Sequence, residues 1–352
     1  MIHKWTKEED LYLMTNRANG YPKIAQALSV SEDQAWRRYK NLMRAAISST
    51  HDRESIINST AEVIKGLSNG STKKSKLPDC SGKNYMLEVS ACDLHLGKLA
   101  YGKETGAEDY DIKIASEIFK DKILELLAET SAYPINRYLF VVGNDFFHTE
   151  FTGMTTKGTP QHSDSRWQKV FTLGMTLITN IVDLMSSYAP VTILCVPGNH
   201  DNASNFYLGC ALEAYYKNNE NVSIDNEPTQ RKYVVFGTNL IGFTHGDREK
   251  HDSLPMILAS EQPEAWAKTT CREFHLGHWH QRAGIKYGQY ETVDGVTLRK
   301  LPSLSATDSW HSAMGYCMPQ RALEAYLYEK TTGYRAHFSA NFIEKAKNAK
   351  AK

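Results

Sequence analysis

The chain has 352 residues, 41% of them hydrophobic, and its 41 Lys and Arg stand against 40 Asp and Glu for a net charge of +1. That length suits one large domain with a small appendage, and the near-neutral balance excludes a wholly basic nucleic-acid wrapper while allowing regional basic faces. No apolar leader and no run of eighteen apolar residues occurs, and the six cysteines are scattered without a CxxC pair; the expectation is a cytoplasmic protein with reduced thiols and no membrane segment.

In chain order, residues 1–46 read as three short helices. Thr6 with Glu9 makes a capping box before "KEEDLYLMTNRA", Pro22 opens "PKIAQALS", and Ser31 with Gln34 repeats the capping pattern before "EDQAWRRYKNLMRAA". Their expected core is Trp5, Leu11, Leu13, Ile24, Leu28, Trp36 and Tyr39. Eight Lys and Arg against five Asp and Glu leave this segment at +3, and Arg37, Arg38, Lys40 and Arg44 follow Asp33 on the third helix with no acid among them. A helix entering a DNA groove needs such cations to meet phosphates. Through "KWTKEEDLYL" and "KIAQALSVSEDQAWRRYKNL" the segment resembles a Myb/SANT-type helix-turn-helix, with Tyr21 and Tyr39 near where that family's later tryptophans would lie. The resemblance implies DNA as partner; because SANT-like modules also bind proteins, a protein-binding bundle is the competing expectation.

Residues 47–84 are polar and rich in Ser, Gly, Asn and Lys, with "ESIINSTAEVIKGL" as one possible helix and "SNGSTKKSK" as a flexible tether. From 85 to 345 short apolar runs, "MLEVSAC", "RYLFVVG", "VTILCVP", "KYVVFG" and "NLIGFTH", read as buried strands. The segments "DIKIASEIFKDKILELLAE" and "RWQKVFTLGMTLITNIVDLMSSYA" carry apolar residues at helical spacing. The alternation predicts a layered α/β domain whose site lies at the strand ends, and "RALEAYLYEKTTGYRAHFSANF" is expected to close the second sheet as a strand pair.

Polar clusters stand at those ends: Asp93 and His95 in "ACDLHLG", Asp145 and His148 in "VVGNDFFH", Asn199, His200 and Asp201 in "CVPGNHD", His245 and Asp247 in "GFTHGD", and His278 and His280 in "LGHWHQ". Carboxylate, imidazole and carboxamide suit borderline divalent ions, and the set reads as a two-metal centre. A single such cluster is ordinary turn chemistry; five in series are not.

In this order the clusters resemble the motifs of the calcineurin-like metallophosphoesterase family: DxH, GDxxD/H, GNHD/E, a lone His, and GHxH. The resemblance implies a four-layer α/β/β/α sandwich. It implies that Asp93, His95 and His280 hold one ion, that Asn199, His245 and His278 hold the other, and that Asp145 bridges them. Mn²⁺ is the favoured ion, with Zn²⁺, Fe²⁺ or Ni²⁺ admitted. His200 would face the substrate phosphate, with Asp201 as partner of its imidazole. Motif two departs from the pattern: Asn144 stands between Gly143 and Asp145 and aligns with the family's glycine, which makes His148 the last motif position.

Hydrolysis of a phosphoester by water activated between two ions follows from this resemblance. Cys92, beside Asp93, is read as a buried strand residue and not as a nucleophile. The "DLHLG" motif and the appended module resemble the DNA-repair exonuclease branch, so a DNA nuclease is expected. The competitors are a nucleotide or small-molecule phosphodiesterase with a recruiting module, and a DNA-binding adaptor on an inactive scaffold. The polar insertion 155–169, with His162 and Arg166, is long enough to form a lid; Arg166, like His148, is a candidate for an additional site. The segment 301–316 offers Trp310 and His311 to the groove. The residues identify no partner protein; the resemblance allows a homodimer. In "FHLGHWHQR", His275 falls outside the GHxH pattern and is read as structural.

Overall fold

The structure, a computed structural model, describes residues 3–16, 20–48, 82–279, 290–315 and 320–342, the side chains of Met14 and residues 43–48 excepted. The chain divides into two compact units, Met1–Pro78 and Asp79–Lys352.

In the first unit, α1 (Lys7–Thr15) and α3 (Glu32–Ser48) start at their capping residues, while α2 (Tyr21–Ala27) follows Gly20 without a side-chain cap and carries Pro22 in its first turn. The Glu9 N–H donates to Thr6 Oγ1 at 3.2 Å while the Thr6 N–H donates to Glu9 Oε2 at 2.8 Å, and Ser31 and Gln34 repeat this reciprocal pair. Two of the otherwise orphaned N–H groups at each start are thereby satisfied. Leu13, Ile24 and Ala35 form the buried core, with Trp5, Tyr21, Leu28 and Tyr39 packed around it. Leu11 and Trp36 do not join that core, being 65% and 45% exposed. Two residues apart on a helix, Leu11 and Leu13 point about 200° apart and cannot both face inward. The Trp36 ring instead lies under the Lys40 ammonium, 4.7 Å from its centroid.

The cations of α3 are also not unopposed. Arg38 forks onto Asp10 of α1, at 2.8 and 2.7 Å, and Arg37 pairs one helical turn back with Asp33 at 2.9 Å. Arg38 thus ties α3 to α1. Arg37 and Lys40 remain at the surface, and the side chain of Arg44 lies outside the described residues. So do 49–81, including the helix expected within the tether.

The second unit holds two sheets. The first is built from β1 (Tyr85–Ser90), β2 (Ile135–Gly143), β3 (Val191–Val196), β4 (Val222–Asp225), β10 (Arg321–Glu329) and β11 (Gly333–Phe342), the second from β5 (Lys232–Phe236), β6 (Asn239–Thr244), β7 (Cys271–Leu276), β8 (Tyr290–Val293) and β9 (Val296–Lys300). Their orders are β11-β10-β1-β2-β3-β4 and β5-β6-β7-β9-β8. β1 to β4 run parallel, as do β6, β7 and β9. β10 pairs antiparallel with β1 and β11 with β10, so this hairpin belongs to the first sheet, not the second as its sequence position suggested.

The helices of this unit are α4 (Gly102–Thr105), α5 (Ile112–Thr130), α6 (Trp167–Ser186), α7 (Asn202–Tyr216), α8 (Leu254–Glu261), α9 (Pro263–Lys268) and α10 (Ser309–Ala313). Strand alternation sorts the core. Leu87, Val89, Phe140, Val142 and Ile193 pack with α5, α6 and α7 in one cluster. Their neighbours Met86, Leu139, Val141 and Leu194 pack with Ile241 and Phe243 of the second sheet in another. Leu240, Phe274 and Leu276, from the opposite face of that sheet, meet Leu254 and Leu258 of α8. Both faces of β1 and β2 are therefore covered, which is why these strands read as continuous apolar runs. Among the described residues no helix is long and apolar enough to cross a membrane.

Candidate metal centre

Five parallel strands end beside one another, and each is followed within three residues by a polar side chain: Asp93 after β1, Asp145 after β2, Asn199 after β3, His245 after β6 and His278 after β7. The loops after β1 and β2 continue the pairing of their strands: the N–H groups of Asp93, His95 and Leu96 donate to the carbonyls of Asn144, Asp145 and Phe146 at 2.8, 3.0 and 2.7 Å. This lacing turns Asp93, His95 and Asp145 toward a common point. It also imposes unusual backbone, since Asp93, His95, Asn144, Asp145 and His278 all have φ between 50° and 65°. Non-glycine residues in this left-handed region cost roughly 1–3 kcal/mol each and cluster where function requires them. Asn tolerates it better than most, which suits Asn144 to its place.

Two groups of ligand atoms emerge, Asp93 with Asp145 and His245, and His95 with His148 and His200, the atoms of each lying within 4.8 Å of one another. Asn199 Oδ1 lies 2.7 Å from His245 Nε2 and 3.0 Å from His278 Nδ1, joining both to the first group. Asp145 Oδ2 lies 3.1 Å from the same His245 Nε2. In the second group His95 faces His148, with the two Nδ1 atoms 3.3 Å apart. His280 lies outside the described residues. Arg166 is exposed at the N-cap position of α6 and, among the described residues, makes no hydrogen bond or ion pair with His148 or the rest of the cluster.

The donor set fits a divalent cation. His245 Nδ1 is 2.6 Å from Asn144 Oδ1, a carboxamide oxygen that can only accept, so the proton sits on Nδ1. Nε2 then points its remaining valence at Asn199 Oδ1 and Asp145 Oδ2, again acceptors. Either a proton or a metal must stand among these three atoms. Without a metal, burial pushes the His245 imidazole down but the carboxylate of Asp145 more than offsets it, raising the pKa to about 9. Burial alone would raise Asp145, yet His245 and the His200 N–H, 2.8 Å from its Oδ1, hold it well below the usual carboxylate range. His148 is driven the other way, well below 6.5, by burial and by the positive charge of Lys98, leaving a neutral imidazole suited to ligation.

The backbone comes close. A Cβ on Gly277 would stand 2.5 Å from Asn144 Oδ1 and 2.9 Å from Asp93 Oδ2, so the chain before His278 passes the centre only as glycine. The His278 N–H, in turn, donates to Asp93 Oδ2 at 3.0 Å.

His200 and Asp201 behave differently from their expected partnership. His200 Nδ1 is 2.8 Å from the carbonyl oxygen of His148, to which it donates, leaving Nε2 for other work. The Asp201 carboxylate accepts from the N–H groups of Asp145, Phe147 and Gly198 at 3.3, 3.1 and 3.1 Å and is fully buried. It therefore braces the loops of motifs two and three and does not orient the imidazole.

Two contributions escaped the sequence. Lys98, 1% exposed, donates to Ser305 Oγ at 3.0 Å and the Ala306 carbonyl at 2.8 Å and pairs with Asp308 at 2.9 Å, tying the segment after β9 to the motif-one loop. Ser303 Oγ donates to the Asp93 carbonyl at 2.6 Å. Nothing local in the sequence signalled either. Cys92 is buried, with Sγ 3.5 Å from the Pro302 carbonyl, and burial pushes its thiol well above the ordinary range.

The chain matches no protein-family model and no curated protein.

Proposed function

We propose that the second unit is a calcineurin-like metallophosphoesterase with the four-layer α/β/β/α architecture, that it holds two divalent ions, and that it hydrolyses phosphodiester bonds in DNA. The observation that carries this reading is the convergence of Asp93, Asp145, Asn199, His245 and His278 from both sheets, with His200 beside them. Bound there, divalent ions would neutralise phosphoryl oxygens and acidify a water. The chain's own residues do the rest. Asn144 fixes the His245 tautomer so that Nε2 faces the centre. His200, held through Nδ1 by the His148 carbonyl, presents Nε2 to protonate the leaving oxygen. The first unit, with Arg37, Lys40 and Arg44 on α3, tethers the enzyme to its substrate.

The test is an assay of the full chain with Mn²⁺ on end-labelled single- and double-stranded DNA beside a chromogenic diester. DNA cleavage that disappears in Asp145→Ala and in His200→Ala supports the nuclease. Turnover of the small diester with none of DNA supports a small-molecule phosphodiesterase, and DNA binding without any turnover supports an adaptor.

A further inference from the structure

We infer that Lys157 and Arg248 form a second phosphate subsite at the rim of the metal centre, one that takes the phosphate neighbouring the scissile group in a polynucleotide. This rests on the phosphodiesterase reading above and names the feature of the substrate that the site selects.

Lys157 stands at the tip of the insertion between motifs two and three. A tight turn forms that tip: the Gly158 N–H donates to the Thr155 carbonyl at 2.9 Å and the Thr155 N–H to the Thr159 carbonyl at 2.8 Å. The tip is fastened to the centre, because the Thr156 N–H donates to the carbonyl of Asn199 at 3.0 Å and Thr156 Oγ1 to Glu150 Oε1 at 2.9 Å. The next side chain, Lys157, crosses to Asp247, two residues beyond His245, with Nζ 3.7 Å from Oδ2. Arg248 Nε lies 3.7 Å from the same oxygen. Two cations from separate loops, one anchored on Asn199 and one following His245, thus meet at one edge of the site.

They are also available. Asp247 is 9% exposed at its side chain and, among the described residues, its Oδ2 accepts no hydrogen bond, so Lys157 and Arg248 do not spend a donor on it. The side chains of Lys157 and Arg248 are 72% and 46% exposed. Pairs this exposed contribute little and exchange readily for a phosphate. Lys98 and Arg299 contrast with them: the first is consumed by Ser305, Ala306 and Asp308, the second by both oxygens of Glu273. A substrate with one phosphate uses the metal centre alone. A polynucleotide places a second anion beside the first and has a use for the rim.

The test compares a 5′-phosphorylated thymidine dinucleotide, too short to engage a helix-turn-helix, with a bis(4-nitrophenyl) phosphate diester. In Lys157→Ala and Arg248→Ala the KM for the dinucleotide should rise about tenfold more than that for the single-phosphate ester, and Lys157→Arg should restore most of the difference. The salt dependence of the affinity for the dinucleotide should weaken with each cation removed, flattening its log–log slope. Equal changes on both substrates, or an unchanged slope, overturn the subsite while leaving the hydrolase intact. Anisotropy with the fluorescent dinucleotide separates the opposite case: binding weakened by the variants in a parent that turns over neither substrate retains the subsite and overturns the hydrolase.

Discussion

Asn144 shows how a single position can serve two masters in this centre. Its φ of 55° accepts glycine or asparagine, and its Oδ1 holds His245 Nδ1. Asn144→Gly keeps the backbone and loses the acceptor, so metal affinity measured by calorimetric Mn²⁺ titration should fall about 10- to 100-fold with the melting temperature little changed. Asn144→Leu loses both and should also lower the melting temperature; equal metal affinity in the parent and the glycine variant would discard the orienting role. In the N-terminal module, Arg38→Ala removes the fork onto Asp10 and should destabilise that unit by about 1 kcal/mol. The checking measurement is urea unfolding followed by tryptophan fluorescence. Arg37→Ala, by contrast, should leave stability near its parent value and flatten the salt dependence of DNA binding by about one unit of log–log slope.

At the scale of elements, His275 is a buried brace between the sheets. From β7 it reaches Glu88 of β1 with Nδ1 at 2.7 Å and Glu273 with Nε2 at 3.2 Å, while Tyr328 of β10 lies 3.2 Å from Nε2. Burial lowers the imidazole's pKa, but Glu88 and Glu273 more than offset this and raise it to about 9. A group whose folded pKa lies above its unfolded value of 6.5 contributes stability that is fully present below pH 6.5 and lost as pH rises through about 9. The shift corresponds to about 3 kcal/mol at most. Thermal melts of the metal-free protein should therefore show a decline between about pH 6.5 and 9.5 that is smaller in His275→Gln, the remainder belonging to His245, whose pKa is also raised to about 9. Because β1 and β7 deliver Asp93 and His278, loosening this brace should loosen the centre as well. A carboxylate at Glu88 on the inter-sheet face of β1 is tolerated because the His275 imidazole meets it from the facing sheet.

For the whole molecule, a metal ion held by the carboxylates and imidazoles at the strand ends would couple its binding to folding. Mn²⁺ at a hundred times its dissociation constant should stabilise the second unit by about 2.7 kcal/mol. The rise in melting temperature should vanish with EDTA and in Asp145→Ala, and a parent protein indifferent to Mn²⁺, Zn²⁺ and Fe²⁺ alike would remove the metal centre from consideration. What the sequence by itself determined was local: the capping boxes at Thr6 and Ser31, the apolar runs of β1 to β3, and the polar residues that follow them. Each depends on hydrogen bonds or periodicity spanning a few residues, so each is written within a few residues. Tertiary structure alone decided which sheet receives β10 and β11, that Asp201 braces backbone N–H groups, that Arg38 turns to Asp10, and that His275 spans the sheets to Glu88. Those partners lie between 28 and 187 positions away for Arg38 and His275. A side chain's short-range chemistry states what it needs, and only the closed chain supplies which distant group answers.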